Sequence, residues 1–267
     1  MNGEKRKTVT LSMILYELRN VTGNPFVHIF GIGMPVFMSV LIIHVAAGQL
    51  PDSSMIGEVS TSIFLGIGAL IPMASILMGY SVRQAQDLEK GIPQRLQLFG
   101  IRNSVTICNR AISEGIFMTV AFIIYFLVGI FFTDLQAPVL SGIIAYIICM
   151  LVFSVFCFIL AHAIAALAKK FSITYCISML LYFAFMILGG MMGVTYENMS
   201  DVMQAFARLL PVTYINRDFY KIWMGKNYNF VPMIQSYLFF GAVSGILLFI
   251  VTIRSPHSYK QKSIRNR

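Results

Sequence analysis

The chain has 267 residues, of which 57% are hydrophobic and only 12% charged, with a mean hydropathy of +0.76. A soluble domain carries about 25% charged residues, so the composition excludes an ordinary soluble protein and makes the membrane the expected solvent. The formal net charge of +9 would suit nucleic acid, but the basic residues flank apolar runs, which membrane topology explains, and no nucleic-acid partner is expected.

The chain opens MNGEKRKTVT, too long and too charged a start for a signal peptide, so residues 1–25 read as a cytoplasmic arm. Within residues 8–20, Leu11, Ile14, Leu15 and Leu18 follow i, i+3, i+4, i+7, with Ser12, Glu17 and Arg19 elsewhere on the wheel. That pattern predicts an amphipathic helix lying in the inner interface, against the simpler reading of a disordered arm. Gly23, Asn24 and Pro25 then break the chain.

A spanning helix needs about 20 mostly apolar residues. Residues 26–46, 61–80, 112–132, 139–168, 173–192 and 231–253 qualify, which predicts an all-α, six-span domain over residues 26–253 and a basic tail over 254–267. The fourth run is long enough to require tilt or projection beyond the hydrocarbon core. Pro35 and Pro72 fall inside runs and predict kinks.

Between the second and third runs the sequence reads EKGIPQRLQLFGI. Leu88, Ile92, Leu96 and Phe99 recur along one helical face, and Asp87, Glu89, Lys90 and Arg95 lie mostly off it. Pro93 suits a first turn, Gly91 a bend before it and Gly100 a stop after it, with Asn103 or Ser104 to cap the next helix. The residues alone leave two readings open: a handle for a docking partner, or a helix resting on lipid. In residues 193–230, Met199, Met203, Phe206 and Leu210 line one short helix that Pro211 ends. Ile215, Phe219, Ile222 and Trp223 line a second, and Tyr214 and Tyr220 add aromatic-belt character.

All but four of the 20 Lys and Arg residues lie on the arm, the second-to-third and fourth-to-fifth connections, and the tail. Arg208, Arg217, Lys221 and Lys226 are the exceptions. Both termini are therefore expected in the cytoplasm. No G-x-x-x-x-G-K-[ST] and no H-E-x-x-H stretch occurs. His28, His44, His162 and His257 are expected to be hydrogen-bonded helix or tail residues, and Cys108, Cys149, Cys157 and Cys176 reduced packing residues; no metal is expected. Glu114, a turn into the third run and i+4 from Arg110, has either a structural or a gating role. Gly189-x-x-x-Gly193 and Gly241-x-x-x-Gly245 match the small-residue spacing of close helix contacts, or arise by chance.

Taken together, these parts resemble the membrane subunits of type-2 ABC exporters (ABC-2 type permeases). Glu89, Gly91, Arg95 and Leu96 match the family's coupling-loop pattern. Leu210–Tyr214 resembles its Leu-x-Pro-x-Tyr-type stretch, and Asn24–Phe26 its entry to the first span. Phe99–Gly100 stands where members often carry proline, which leaves the subfamily open. The resemblance implies that the quoted segment is a coupling helix, with Glu89, Gly91, Arg95, Leu96 and Phe99 docking on a separate ATP-binding-cassette ATPase. That partner would bind the ATP and Mg, with no cofactor and no catalytic residue on this chain. It also implies a homodimer, or a heterodimer with a second permease, in the plasma membrane of a bacterial cell. The path would be lined by the second and fifth spans, with Phe64, Met73, Phe183, Phe185 and Met186 as candidates and a hydrophobic drug, peptide or lipid-linked compound as exported cargo. The alternatives are an ATP-independent secondary transporter, for which no inverted repeat is found, and a membrane-embedded enzyme, for which no paired acids or histidines are found inside spans.

Overall fold

A computed structural model describes residues 9–49 and 55–254. Lys5, Arg6, Lys7, Asp52, His257 and the tail residues 255–267 lie outside the described residues. Within them, the chain is all helical and has six helices long and apolar enough to cross a membrane: Ile29–Ala47, Ile56–Glu89, Asn103–Phe132, Leu140–Ala168, Phe171–Leu188 and Val231–Ile253. A short arm helix, Leu11–Thr22, precedes them, a loop helix, Ile92–Leu98, follows the second, and two helices, Asp201–Ala207 and Pro211–Trp223, precede the sixth. The spans run up and down, so one end of the bundle carries the arm helix and the loop helix (the arm end). The other carries the helices before the sixth span (the far end).

The spans differ from the apolar runs at their edges, for identifiable reasons. The second is 34 residues, not 20, because its apolar run passes without a break into the polar helix Ser81–Glu89. At about 1.5 Å per residue that is roughly 51 Å, well beyond a hydrocarbon core of about 30 Å. The third begins at Asn103, with the extended Arg102, not Asn103 or Ser104, in the cap position. The fifth stops at Leu188, not Met192, where Gly189 and the left-handed Gly190 turn the chain. Gly189 and Gly193 therefore form no helix face. Gly241 packs against the Phe156 ring of the fourth span, and Gly245 faces open space.

Pro35 and Pro72 both disturb their helices. Pro72 has no N–H and crowds the carbonyl four residues back, and the second span breaks there, at Gly68–Ala69, before resuming as a π-helix over Met73–Tyr80. Hydroxyls from neighbouring spans satisfy the carbonyls at the break. Tyr125 donates to the Phe64 oxygen at 2.8 Å and Tyr146 to the Leu65 oxygen at 3.0 Å. A π-turn over Ile29–Gly33 precedes Pro35 in the same way.

The second span is the centre of the fold: 89% of its apolar window is buried, against 17% for the sixth. At the far end it packs against Pro211–Trp223, whose Val212, Ile215, Phe219 and Ile222 are buried. Pro211 starts this helix as its first residue and does not belong to the end of the previous one. Gly66 permits the approach, since a Cβ there would overlap the Asn216 side chain. Tyr214 and Tyr220 are buried in this contact and do not form an exposed belt. The preceding helix turns Phe206 outward, while Met199 and Leu210 are buried.

Candidate coupling site at the arm end

The arm helix lies along the start of the third span, and Ser113 donates to the Ile14 carbonyl at 3.0 Å. Leu11 and Leu15 are exposed, as an interfacial helix requires, but Glu17 points into the protein and is buried. There it meets Arg110 of the third span. The Arg110 guanidinium spends every nitrogen on a different partner: Nε on Glu17 at 3.1 Å, Nη1 on the Gln84 amide oxygen, and Nη2 on Asp87. Arg110 thus ties the arm helix to both the second and third spans.

One turn deeper, Glu114 is buried and pairs with Arg83 of the second span. The expected i, i+4 pairing with Arg110 does not occur, because Arg110 is already committed to Glu17 and Asp87. Arg83 Nη1 and Glu114 Oε2 have no further hydrogen-bond partner among the described residues, so this pair is only half saturated. Breaking such a pair on one side is costly, because the surviving charge is left buried. Beneath it the Tyr80 hydroxyl meets His162 Nδ1 of the fourth span at 2.8 Å, and Ser81 meets Ser178 of the fifth, also at 2.8 Å. The projecting end of the second span therefore bonds to the third, fourth and fifth spans and, through Arg110, is tied to the arm helix.

A cavity of about 640 Å³ opens beside this network, with Tyr16, Arg83, Arg110, Ile92, Leu96 and Tyr175 among its walls. The loop helix closes one side. Gly91, at φ +69°, makes the turn into it, and Gly100, at φ +78°, the turn out. The apolar ridge expected over Leu88, Ile92, Leu96 and Phe99 is divided. Leu88, Ile92 and Leu96 are half-buried on the inner side, while Leu98 and Phe99, at 78% and 72% exposed, face outward. Arg95 is exposed and makes no ion pair among the described residues. Glu89 has an intramolecular use that the sequence did not reveal. Its carboxylate accepts the Phe171 N–H at 2.9 Å, capping the first turn of the fifth span.

The candidate path residues divide similarly. Phe64, stacked on Tyr125 with centroids 4.2 Å apart, is buried, as are Met73, Phe185 and Met186; Phe183 alone is exposed. Four of the five therefore present no surface beyond this chain in this conformation.

His28, His44 and His162 each make a hydrogen bond, the first two to helix carbonyls. Sequence reading missed Arg83, Gln84 and Asp87. The signal was present: Tyr80, Arg83, Gln84 and Asp87 fall at i, i+3, i+4 and i+7, a polar stripe continuing an apolar span.

The sequence model of the ABC-2 type transporter family matches residues 8–224, covering the arm helix, five spans, the loop helix and both far-end helices. Comparison with curated proteins gives no match. The chain belongs to the ABC-2 type transporter family.

Proposed function

From that membership, we propose that the chain is the permease half of an ATP-driven exporter and that its arm end faces the cytoplasm. A separate ATP-binding-cassette subunit, which binds and hydrolyses ATP with Mg²⁺, docks on the loop helix. The observation that carries this reading is the exposed pair Leu98–Phe99, held on a glycine-bounded helix at the tip of a span that projects beyond the bilayer. Exposed apolar side chains of that size, flanked by the free cation of Arg95, suit a desolvated anchor with a charged rim.

Force applied to the loop helix has three outlets. It passes through Gly91 into the second span, through Arg110 and Arg83 into the arm helix and third span, and through Glu89 into the fifth span. A rigid shift of these linked elements would open the path toward the far end. The exposed apolar faces of the five spans around the second are consistent with contact to lipid and to a second permease, and with a hydrophobic or amphipathic cargo.

The test is co-purification of the tagged chain with its ATPase. Leu98→Asp lowers the recovered ATPase about tenfold or more, as loss of a central anchor does, while Leu96→Ala, which faces the cavity, leaves recovery unchanged. Equal recovery with Leu98→Asp and the parent chain would sink the docking assignment.

A further inference from the structure

At the far end, a second cavity of about 550 Å³ lies between the first turns of the second span and the helix Pro211–Trp223. Its walls include Glu58 and Ser62 from one side, and Arg217, Lys221, Lys226 and Asn227 from the other. Among the described residues four Lys or Arg lie at this end, Arg208, Arg217, Lys221 and Lys226, and three of them line this one cavity. Cations on this side work against the topology rule that places them at the arm end, so their convergence calls for a physical cause.

Arg217 is already spent. It pairs with Asp218 through two nitrogens, at 3.0 and 2.7 Å, and its guanidinium sits between the rings of Tyr196 and Tyr214. Asp218 also accepts from Tyr228, whose hydroxyl is held above the usual tyrosine range by burial and by this carboxylate. The two lysines are different: neither makes an ion pair among the described residues. The backbone forces them together. The Lys226 N–H bonds to the Lys221 carbonyl at 2.8 Å and Gly225, at φ +67°, bonds to Ile222 at 3.0 Å. This is the Schellman closure of a helix, and the two positions it joins are ordinarily filled by an apolar pair. The helix C-terminus makes a nearby cation comfortable. It does not explain two ammonium groups at the joined positions of one cavity. Val59, Ile63 and Tyr220 supply an apolar wall beside them, and the Lys226 ammonium lies 4.8 Å from the centre of the Tyr220 ring.

We propose that this cavity binds a phosphate-bearing anionic head group, with Lys221 and Lys226 as its ligands and Ser62 and Asn227 as hydrogen-bonding neighbours. Its size falls in the ordinary range for small-molecule sites. Two cations over an apolar wall suit the phosphate of an anionic phospholipid in the leaflet at that end. That leaflet is the outer one under the orientation proposed above, on which the binding itself does not depend. A free phosphate ester offers the same chemistry.

The experiment uses the full chain in detergent, where sidedness plays no part. Lipid retention is read by native mass spectrometry and thermal stability by the fluorescence of Trp223, the sole tryptophan. Phosphatidylglycerol, phosphatidylcholine and sn-glycerol 3-phosphate are added separately. The expected result is retention of phosphatidylglycerol over phosphatidylcholine, a preference that Lys221→Gln/Lys226→Gln lowers about tenfold or more and that Lys221→Arg/Lys226→Arg keeps. If the double variant folds poorly, Lys226→Gln alone, on an exposed loop, reads the same loss in smaller degree. Lysine-dependent stabilisation by glycerol phosphate assigns a soluble phosphate ester, and by phosphatidylglycerol alone a lipid; either supports the site. Equal retention of the two lipids, a preference untouched by the glutamines, or an equal loss on Arg102→Gln at the arm end overturns it.

Discussion

The two ends of the bundle differ in whether charge pairs link separate helices. At the arm end, buried charge meets buried charge: Arg110 is shared by Glu17, Gln84 and Asp87, and Arg83 is set on Glu114. At the far end, apolar and aromatic packing does most of the holding: the one charge pair there among the described residues, Arg217–Asp218, joins neighbours on a single helix and ties no two elements together, single hydrogen bonds such as Trp223 Nε1 to the Gln136 carbonyl do the rest, and the lysines are left at the surface. Ion pairs in a low-dielectric setting are directional and break as units, so the arm end is expected to move as one piece. Packed apolar surfaces have no such single lock and pass between discrete packings by sliding. This asymmetry is the arrangement a lever and a gate would require.

The largest test removes the centre of the arm-end network. Arg110→Met leaves the buried Glu17 and the half-buried Asp87 without their cation, and the fall in stability is expected to be about 3–5 kcal/mol. Thermal unfolding followed at Trp223, far from the change, reports whether the loss is global. Replacing Arg110, Glu17 and Asp87 together by Met, Leu and Leu is expected to recover most of that stability, because no orphan charge remains. The same triple variant should lose stimulation of the ATPase by the permease. A triple variant as unstable as the single one would mean that packing, not charge, holds the arm end, and the contrast between the ends would vanish.

A smaller effect probes the far end. Gly66→Ala forces a methyl group onto Asn216, and overpacking of this kind costs about 1–3 kcal/mol. If far-end cohesion is a matter of fit, Gly66→Ala/Asn216→Ala restores part of the melting temperature, the Asn216 Cα at 2.9 Å from the new methyl group withholding the rest. Failure of the pair to restore any of it would show that Asn216 matters for its hydrogen bond to the Gly189 carbonyl at 2.9 Å. The far end would then rest on directional bonds after all.

Much of this architecture is legible in the residues. Apolar run length gives the six spans, and Gly91, Pro93 and Gly100 mark the loop helix, because hydropathy and backbone restriction are local properties. Span edges were less legible. The helix ending at Glu89 continues through polar residues whose partners come from three other spans, and no local pattern announces them. The partners of Glu17 and Glu114 were hidden for the same reason. On its own helix, each has a plausible solvent or i, i+4 partner, and only tertiary packing brings Arg110 and Arg83 closer. The loop-helix ridge divided because a helix of seven residues has two apolar sides, of which Ile92 and Leu96 pack on the chain while Leu98 and Phe99 face outward.

The smallest expected effect bears on how the two ends communicate. Glu89 is the last residue of the second-span helix, and its carboxylate caps the first turn of the fifth span, where the unpaired N–H groups and the helix dipole both favour an anion. Glu89→Ala should therefore cost only about 0.5–1 kcal/mol of stability. Amide exchange should quicken at Phe171 through Thr174, with the rest of the fifth span unaffected. Glu89→Asp, one methylene shorter, tests reach, and Glu89→Gln keeps an acceptor while removing the charge. If the cap is also the link through which the loop helix moves the fifth span, Glu89→Ala lowers transport while ATPase binding stays intact. Glu89→Gln then falls between the two. A Glu89→Ala chain that loses ATPase binding without faster exchange at Phe171 would place this carboxylate on the docking surface. The fifth span would then follow the second only through the packing around Ser81 and Ser178.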